Sequence, residues 1–164
     1  MADLPTTGGR TVRDVYTQHA RMLYRIAYTY MKNSCDSEDA LQECFLRYIR
    51  SGVSFADPQH EKGWLILTLT NICRDMLRSR ARRHDSLEDH AELTAAPPET
   101  DRLTAAVLAL PDRYKAPLYL FYYEGYSVKE IAGMLHQPVN TVKTRLARAR
   151  KLLKNEWEEQ FDEG

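Results

Sequence analysis

The stretch YSVKEIAGMLHQPVNTVKTRLARARKLLK, Tyr126 to Lys154, carries two helical signals separated by a turn. Ser127 with Glu130 three residues later is a capping box, and it opens a short helix that runs to about Leu135. His136-Gln137-Pro138 reads as the turn, with Pro138 suited to the first turn of the next helix. In that second helix Val142, Leu146, Ala149 and Leu153 recur at helical spacing and face a core. Asn140, Lys143, Thr144, Ala147, Arg148 and Lys151 fall on the other side. A short helix, a tight turn and a longer helix with a cationic outer face form a helix-turn-helix. Asn140, Lys143 and Thr144, near the start of the second helix, are placed to reach base edges. Arg145, Arg148 and Arg150 are placed to meet phosphates, which position a protein without specifying sequence.

The segment from Lys143 to Lys154 holds Lys143, Arg145, Arg148, Arg150, Lys151 and Lys154 and no acid, yet the 164-residue chain has a formal net charge of zero. The balance comes from blocks of opposite sign. Arg74, Arg78, Arg80, Arg82 and Arg83 stand against the single acid Asp75. Asp85, Glu88, Asp89, Glu92, Glu99 and Asp101 follow with no Lys or Arg among them, and the last ten residues, NEWEEQFDEG, are acidic again. Segregated blocks point to interaction surfaces, because a merely solvated helix face intersperses its signs.

Upstream the periodicity is helical and almost no strand signal is present. Val15, Tyr16, His19, Met22, Leu23, Ile26, Ala27 and Tyr30 form one helix face beginning at Val12. NSCDSEDALQECFLRYIRSG is a second helix, with Asp36 as N-cap and Gly52 as its C-terminal glycine. Ala40, Leu41, Cys44, Phe45, Tyr48 and Ile49 are its inner face, and Glu38, Asp39, Gln42 and Glu43 its polar face. A third helix spans about Glu61 to Arg82, with Trp64, Leu65, Thr68, Ile72 and Met76 inward and a polar stripe of Asn71, Arg74, Asp75, Arg78 and Arg82. Residues 84–100 lose apolar periodicity, contain Pro97-Pro98 and read as a flexible acidic linker. After Leu103, Val107 and Leu110, a helix starts near Asp112, carries Pro117 inside it and stops at Gly125. The expected fold is all-α: two small helical domains joined by a linker, three helices and then about four shorter ones.

No apolar run is long enough to cross a bilayer, the N-terminus has no signal-peptide character, and a cytoplasmic protein is expected. Cys35, Cys44 and Cys73 lack a metal-binding or CxxC spacing and read as small apolar residues in a reducing compartment. Three other classes compete. A stand-alone helix-turn-helix regulator needs a ligand or dimerisation domain in residues 11–83, where no pocket signature is present. An enzyme could use the carboxylates Asp36, Glu38, Asp39 and Glu43 for Mg²⁺, but they crowd one helix with no base beside them. His19, on an apolar face, reads as a core histidine. A purely structural helical protein leaves the charge segregation unexplained.

LPDRYKAPLYLFYYEGYSVKEIAGMLHQPVNTVKTRLARAR resembles region 4 of bacterial sigma factors, through Leu110-Pro111, Glu130-Ile131-Ala132, Leu135, Thr141-Val142-Lys143, Arg145-Leu146 and Arg148-Ala149-Arg150. DSEDALQECFLRYI resembles region 2.2, through Glu38-Asp39, Gln42-Glu43 and Phe45. WLILTLTNICRDMLRSRARR resembles regions 2.3 and 2.4, through Trp64-Leu65, Asn71, Asp75 and Arg78. Both modules in this order, with no room for a region 1.1 or region 3 domain, resemble the extracytoplasmic-function (ECF) group of the sigma-70 family. His136 and Asn140 stand where the family often has glycine. The resemblance implies a protein that is not an enzyme and needs no cofactor or metal. Region 2 (11–83) is expected to bind the beta-prime clamp of core RNA polymerase through Glu38, Asp39, Gln42 and Glu43. It is also expected to recognise and melt the −10 promoter element through Asn71, Arg74 and Arg78, with Phe55 as a candidate for base stacking. Linker 84–100 joins it to region 4 (101–157), which would read the −35 element through Asn140, Thr141, Lys143, Thr144, Arg145 and Arg148 and dock on the beta flap. A partner anti-sigma protein is a further implied ligand.

Overall fold

The computed structural model describes residues 11–53, 55, 57–84 and 102–162. Seven helices follow in order among them: α1 (Val12–Met31), α2 (Ser34–Ser51), α3 (Pro58–His84), α4 (Arg102–Ala109), α5 (Asp112–Tyr122), α6 (Val128–Leu135) and α7 (Val139–Asp162). Of the expected linker, 84–100, His84 ends α3 and residues 85–100 lie outside the described residues.

Local chemistry sets the helix ends. Thr11 and Asp14 close a reciprocal capping box on α1, which ends at Lys32 in the left-handed conformation. The N-cap of α2 is Asn33, where Asp36 was expected. The Asn33 side chain accepts the Asp36 amide at 2.8 Å, which places Asp36 inside the first turn. There its carboxylate favours the positive end of the helix. Gly52 closes α2 at φ +61° as expected. The third helix starts at Pro58, three residues before Glu61, because proline is pre-set for a first helical turn. Pro138 does the reverse: it stays just outside α7, and its carbonyl accepts the amides of Thr141 and Val142. α7, at 24 residues, is the longer helix of the helix-turn-helix pair as expected, and it also exceeds α1 and α2, where the helices of the second module were expected to be shorter.

The apolar faces meet as the periodicity requires. Val15, Leu23, Ile26 and Ala27 of α1 pack with Ala40 and Cys44 of α2 and Leu65, Leu69 and Cys73 of α3, all essentially without exposure. Tyr16 departs from this face. It is 45% exposed and lies over Phe45 with ring centroids 4.9 Å apart. Phe55 is buried, stacked 6.1 Å from Tyr48 and edge-on to Trp64 and His60, so it belongs to the core. His19 is a core histidine, 3.6 Å from the buried Glu61, which also accepts the Tyr48 hydroxyl at 3.0 Å. Cys44 and Cys73 are buried, and burial pushes both thiols up to about 12; Cys35 is exposed, unlike the apolar role read for it.

In the second module Val142, Leu146 and Ala149 of α7 are buried against α4, α5 and α6. Burying a leucine such as Leu146 is worth about 1.5–3 kcal/mol. The two modules share a buried interface in which α3 meets α6 and α1 meets α4 and α5. α3 and α6 approach closely at Gly63, where a Cβ would be in ordinary van der Waals contact with Met134, 3.4 Å from its backbone and side chain.

Candidate nucleic-acid and polymerase interfaces

The helix-turn-helix is built by two local devices. Ser127 and Glu130 exchange side-chain and backbone hydrogen bonds at 3.0 and 3.1 Å, which fixes the start of α6. These bonds to the carboxylate also hold the exposed Glu130 below the usual carboxylate range. His136 ends α6 at φ +53°, and its amide returns to the Ala132 carbonyl. A left-handed residue at this point lets the chain reverse in two further residues before α7. Asn140 sits inside α7 without a left-handed backbone, so the position does not require glycine.

α7 then sorts its side chains. Asn140, Lys143, Thr144 and Arg148 are exposed, Thr141 and Arg145 half-buried. Five of these six, all but Lys143, line an open groove of about 360 Å³ together with Arg113 and Tyr114 of α5. The Arg113 guanidinium lies 4.6 Å from the Tyr114 ring, which holds the cation at the rim. Sequence reading missed Arg113; its signal was a lone arginine one residue into a helix, with nothing in the linear order to bring it beside α7. Arg150 is diverted from this face. It donates to the Tyr122 hydroxyl at 2.6 Å and lies over the Phe121 ring at 5.4 Å.

On α2, Glu38, Asp39 and Gln42 are exposed and Glu43 is half-buried, 3.2 Å from Arg47. Leu46, four residues after Gln42, is 40% exposed and continues this stripe with an apolar side chain. On α3 the residues read for the −10 element divide. Asn71 and Arg78 are exposed, the latter paired with Asp75. Arg74 is half-buried and faces Tyr30, whose phenol burial pushes up to about 12 despite the nearby guanidinium. Arg80 reaches back to Asp36 in an ion pair that ties α3 to the start of α2. Asp36 also accepts from the Asn33 amide at 2.8 Å. Cys35, Asp36 and Asp39 have ligand atoms within 4.8 Å of one another, but with Asp36 so engaged they make a poor cation site, and no base stands beside them. Among the described residues no helix is long and apolar enough to cross a membrane.

Residues 15–83 match the sequence pattern of Sigma-70 region 2, and residues 100–153 match that of Sigma-70, region 4. The chain belongs to the sigma-70 family, in its ECF group. Among its relatives, the ECF RNA polymerase sigma factor SigE of Mycolicibacterium smegmatis is 34% identical over 154 residues, covering 87% of this chain and 60% of that one. RNA polymerase sigma factor SigV of Bacillus subtilis is 33% identical over 143 residues, covering 84% and 86%. Of solved structures, the sigma factor RpoE in complex with the anti-sigma factor NepR from Bartonella quintana superposes with a TM-score of 0.74. It is 22% identical and covers 87% of this chain and 94% of that one, so it shows the shared fold. Sigma factors are transcription initiation factors rather than enzymes, and the helix-turn-helix of α6 and α7 is the region 4 motif of this sigma factor.

Proposed function

We propose that this sigma factor binds core RNA polymerase through α2 and carries it to promoters read at two elements. The observation that carries the reading is the pairing, in one chain, of an exposed acidic stripe on α2 with an exposed cationic recognition face on α7. Glu38, Asp39, Gln42 and Glu43, with Leu46 at the end of the stripe, form the surface for the beta-prime clamp. Asn140, Thr141, Lys143 and Thr144 enter the major groove of the −35 element. Arg145 and Arg148, joined by Arg113, hold its phosphates. Asn71, Arg74 and Arg78 hold the melted −10 strand, where captured bases and phosphates offset the cost of separating the strands. Region 2 then occupies 11–83, the acidic linker 84–100 lies along the polymerase's cationic RNA path, and region 4 occupies 101–157. The chemistry of RNA synthesis stays with the polymerase, and the chain works in the cytoplasm. The sigma factor RpoE was solved in complex with the anti-sigma factor NepR, and a partner anti-sigma protein is proposed here on that ground.

The test is reconstitution. Purified chain and core polymerase, with genomic fragments as template, should give defined transcript starts that are absent with core alone. Start sites scattered as for core alone would refute the proposal.

A further inference from the structure

Asn140 is the second residue of α7, and it is exposed. An asparagine at a helix start usually answers a local need, and α7 shows none. Asparagine caps a helix by accepting backbone amides from the position just outside it. Here that position is Pro138, whose carbonyl takes the amides of Thr141 and Val142, and Asn140 lies within the first turn. Asparagine also tolerates the left-handed backbone, but Asn140 does not adopt it. Its side chain fills no core, and among the described residues its amide has no hydrogen-bond partner. Asparagine is a weaker helix former than alanine. The residue therefore weakens α7 slightly and forms no contact within the chain that offsets this.

Its surroundings are cationic. Asn140 lines the groove of about 360 Å³ between α5 and α7, with Thr141, Thr144, Arg145 and Arg148 on its own helix and Arg113 and Tyr114 across from them. No carboxylate lines this groove. An unpartnered amide thus stands at the start of the proposed recognition helix, flanked by arginines from two elements.

We propose that Asn140 selects adenine at one position of the −35 element; the inference rests on the −35 reading proposed above for α7. A side-chain amide carries one acceptor and two donors. In the major groove adenine shows the N6 amino donor beside the N7 acceptor, so the Asn140 carbonyl oxygen accepts from N6 while its NH₂ donates to N7. Guanine offers two acceptors, O6 and N7, and sets O6 against the amide oxygen. Cytosine offers a donor alone, and thymine an acceptor beside a methyl group. Adenine is the base that engages both ends of the amide at once.

The reach of the side chain explains the arginines. One methylene separates the Asn140 amide from the backbone, so the paired contact forms only when the helix start is held close to the base edges. Arg145 and Arg148 on one wall and Arg113 on the other hold it there through phosphates. Arg113 is already placed for this, with its guanidinium 4.6 Å from the Tyr114 ring. The helix also supplies a ruler. Thr144 lies one turn after Asn140, roughly 6 Å along the axis. Successive bases of a strand are about 3.4 Å apart. A base read by Thr144 therefore lies at most about two base pairs from the adenine read by Asn140.

The experiment reconstitutes holoenzyme from the full chain and core polymerase and selects from a duplex library randomised across the −35 region. The wild-type holoenzyme should require adenine at one position, where any other base lowers binding by about ten-fold or more. Replacing that adenine with 7-deazaadenine, which lacks N7, should lower binding several-fold while base pairing is kept. Asn140→Ala should bring the four bases at this position within about two-fold of one another and leave the preferences elsewhere in place, whereas a merely structural defect weakens every position alike. Asn140→Asp keeps the shape and removes the donors. Its carboxylate suits a helix start, and it should move the preference from adenine to cytosine, whose N4 amino group donates. Thr144→Ala should change the preference only within two base pairs of the adenine. Circular dichroism checks that each variant is folded. A selected −35 element whose preferences are the same in wild-type and Asn140→Ala holoenzyme, or full binding to 7-deazaadenine, overturns the role of Asn140 and leaves the −35 reading standing. A wild-type holoenzyme that selects no −35 sequence overturns both.

Discussion

Replacing His136 with glycine should raise the stability of the chain, although it removes a side chain. His136 is held at φ +53°, where a Cβ crowds the following carbonyl. For a residue other than glycine this conformation costs roughly 1–2 kcal/mol. Glycine escapes that cost but loses about 0.5–1 kcal/mol more than alanine in chain entropy on folding. The imidazole is exposed and holds little packing energy, so the difference of the two figures remains: a gain of about 0.5–1 kcal/mol, or about 2–4 °C in Tm for each kcal/mol at this chain length. His136→Ala separates the causes, because alanine keeps the strain and lacks the ring. It should fall about 1 kcal/mol below the glycine variant. Urea and thermal unfolding of the three proteins, followed by circular dichroism, measure the order. If alanine equals or exceeds glycine, the turn is not strained and the reasoning fails.

Reversing Glu38 and Asp39 to lysine should weaken core-polymerase binding while helix content and Tm stay within the small range of surface changes, about 0.5 kcal/mol; unchanged affinity in a titration against core polymerase would remove α2 from the contact. Arg148→Ala should weaken holoenzyme binding to all −35 sequences alike and lower the log–log salt slope by roughly 0.9, whereas Asn140→Ala or Lys143→Ala should alter the preference among −35 variants. Arg78→Ala should reduce open-complex formation with little change in Tm. Arg74→Ala should reduce both, because Arg74 faces Tyr30 at the module boundary as well as the proposed DNA path, and equal Tm values for the two variants would show that the Tyr30 contact contributes nothing.

The elements within each module were legible in the sequence because each helix shows its inner face as a three-and-four repeat. Val142, Leu146 and Ala149 are buried as that repeat requires, and Ser127 with Glu130 marks its helix start to the residue. Helix ends were less legible where two cap residues compete. Asn33 and Asp36 are both good N-caps, and only the folded chain shows that Asn33 takes the cap and Asp36 the first turn. The contacts between modules were not legible at all. Lys115 is buried with its ammonium on the Thr29 carbonyl of α1, yet it reads as a surface lysine between Tyr114 and Ala116, and Gly63 as a glycine near a helix start, because a partner far away in the chain leaves no period behind. The same holds for Arg113, which becomes part of the recognition groove only when α5 packs beside α7. Tyr16 fits the period of α1 and is still 45% exposed, with its ring against Phe45.

The close approach at Gly63 also bears on how such chains diverge. A Cβ there would just touch the backbone and side chain of Met134, a residue of the other module, so a methyl fits and bulkier groups meet Met134. A residue bulkier than alanine at position 63 therefore calls for position 134 to shrink or the two helices to part. Substitutions at these two sites are bound to each other over a separation of 71 positions in the chain. A lineage that lost docking would be released from that bond, and its residue 63 would be free to drift toward the leucine or glutamate that helices favour.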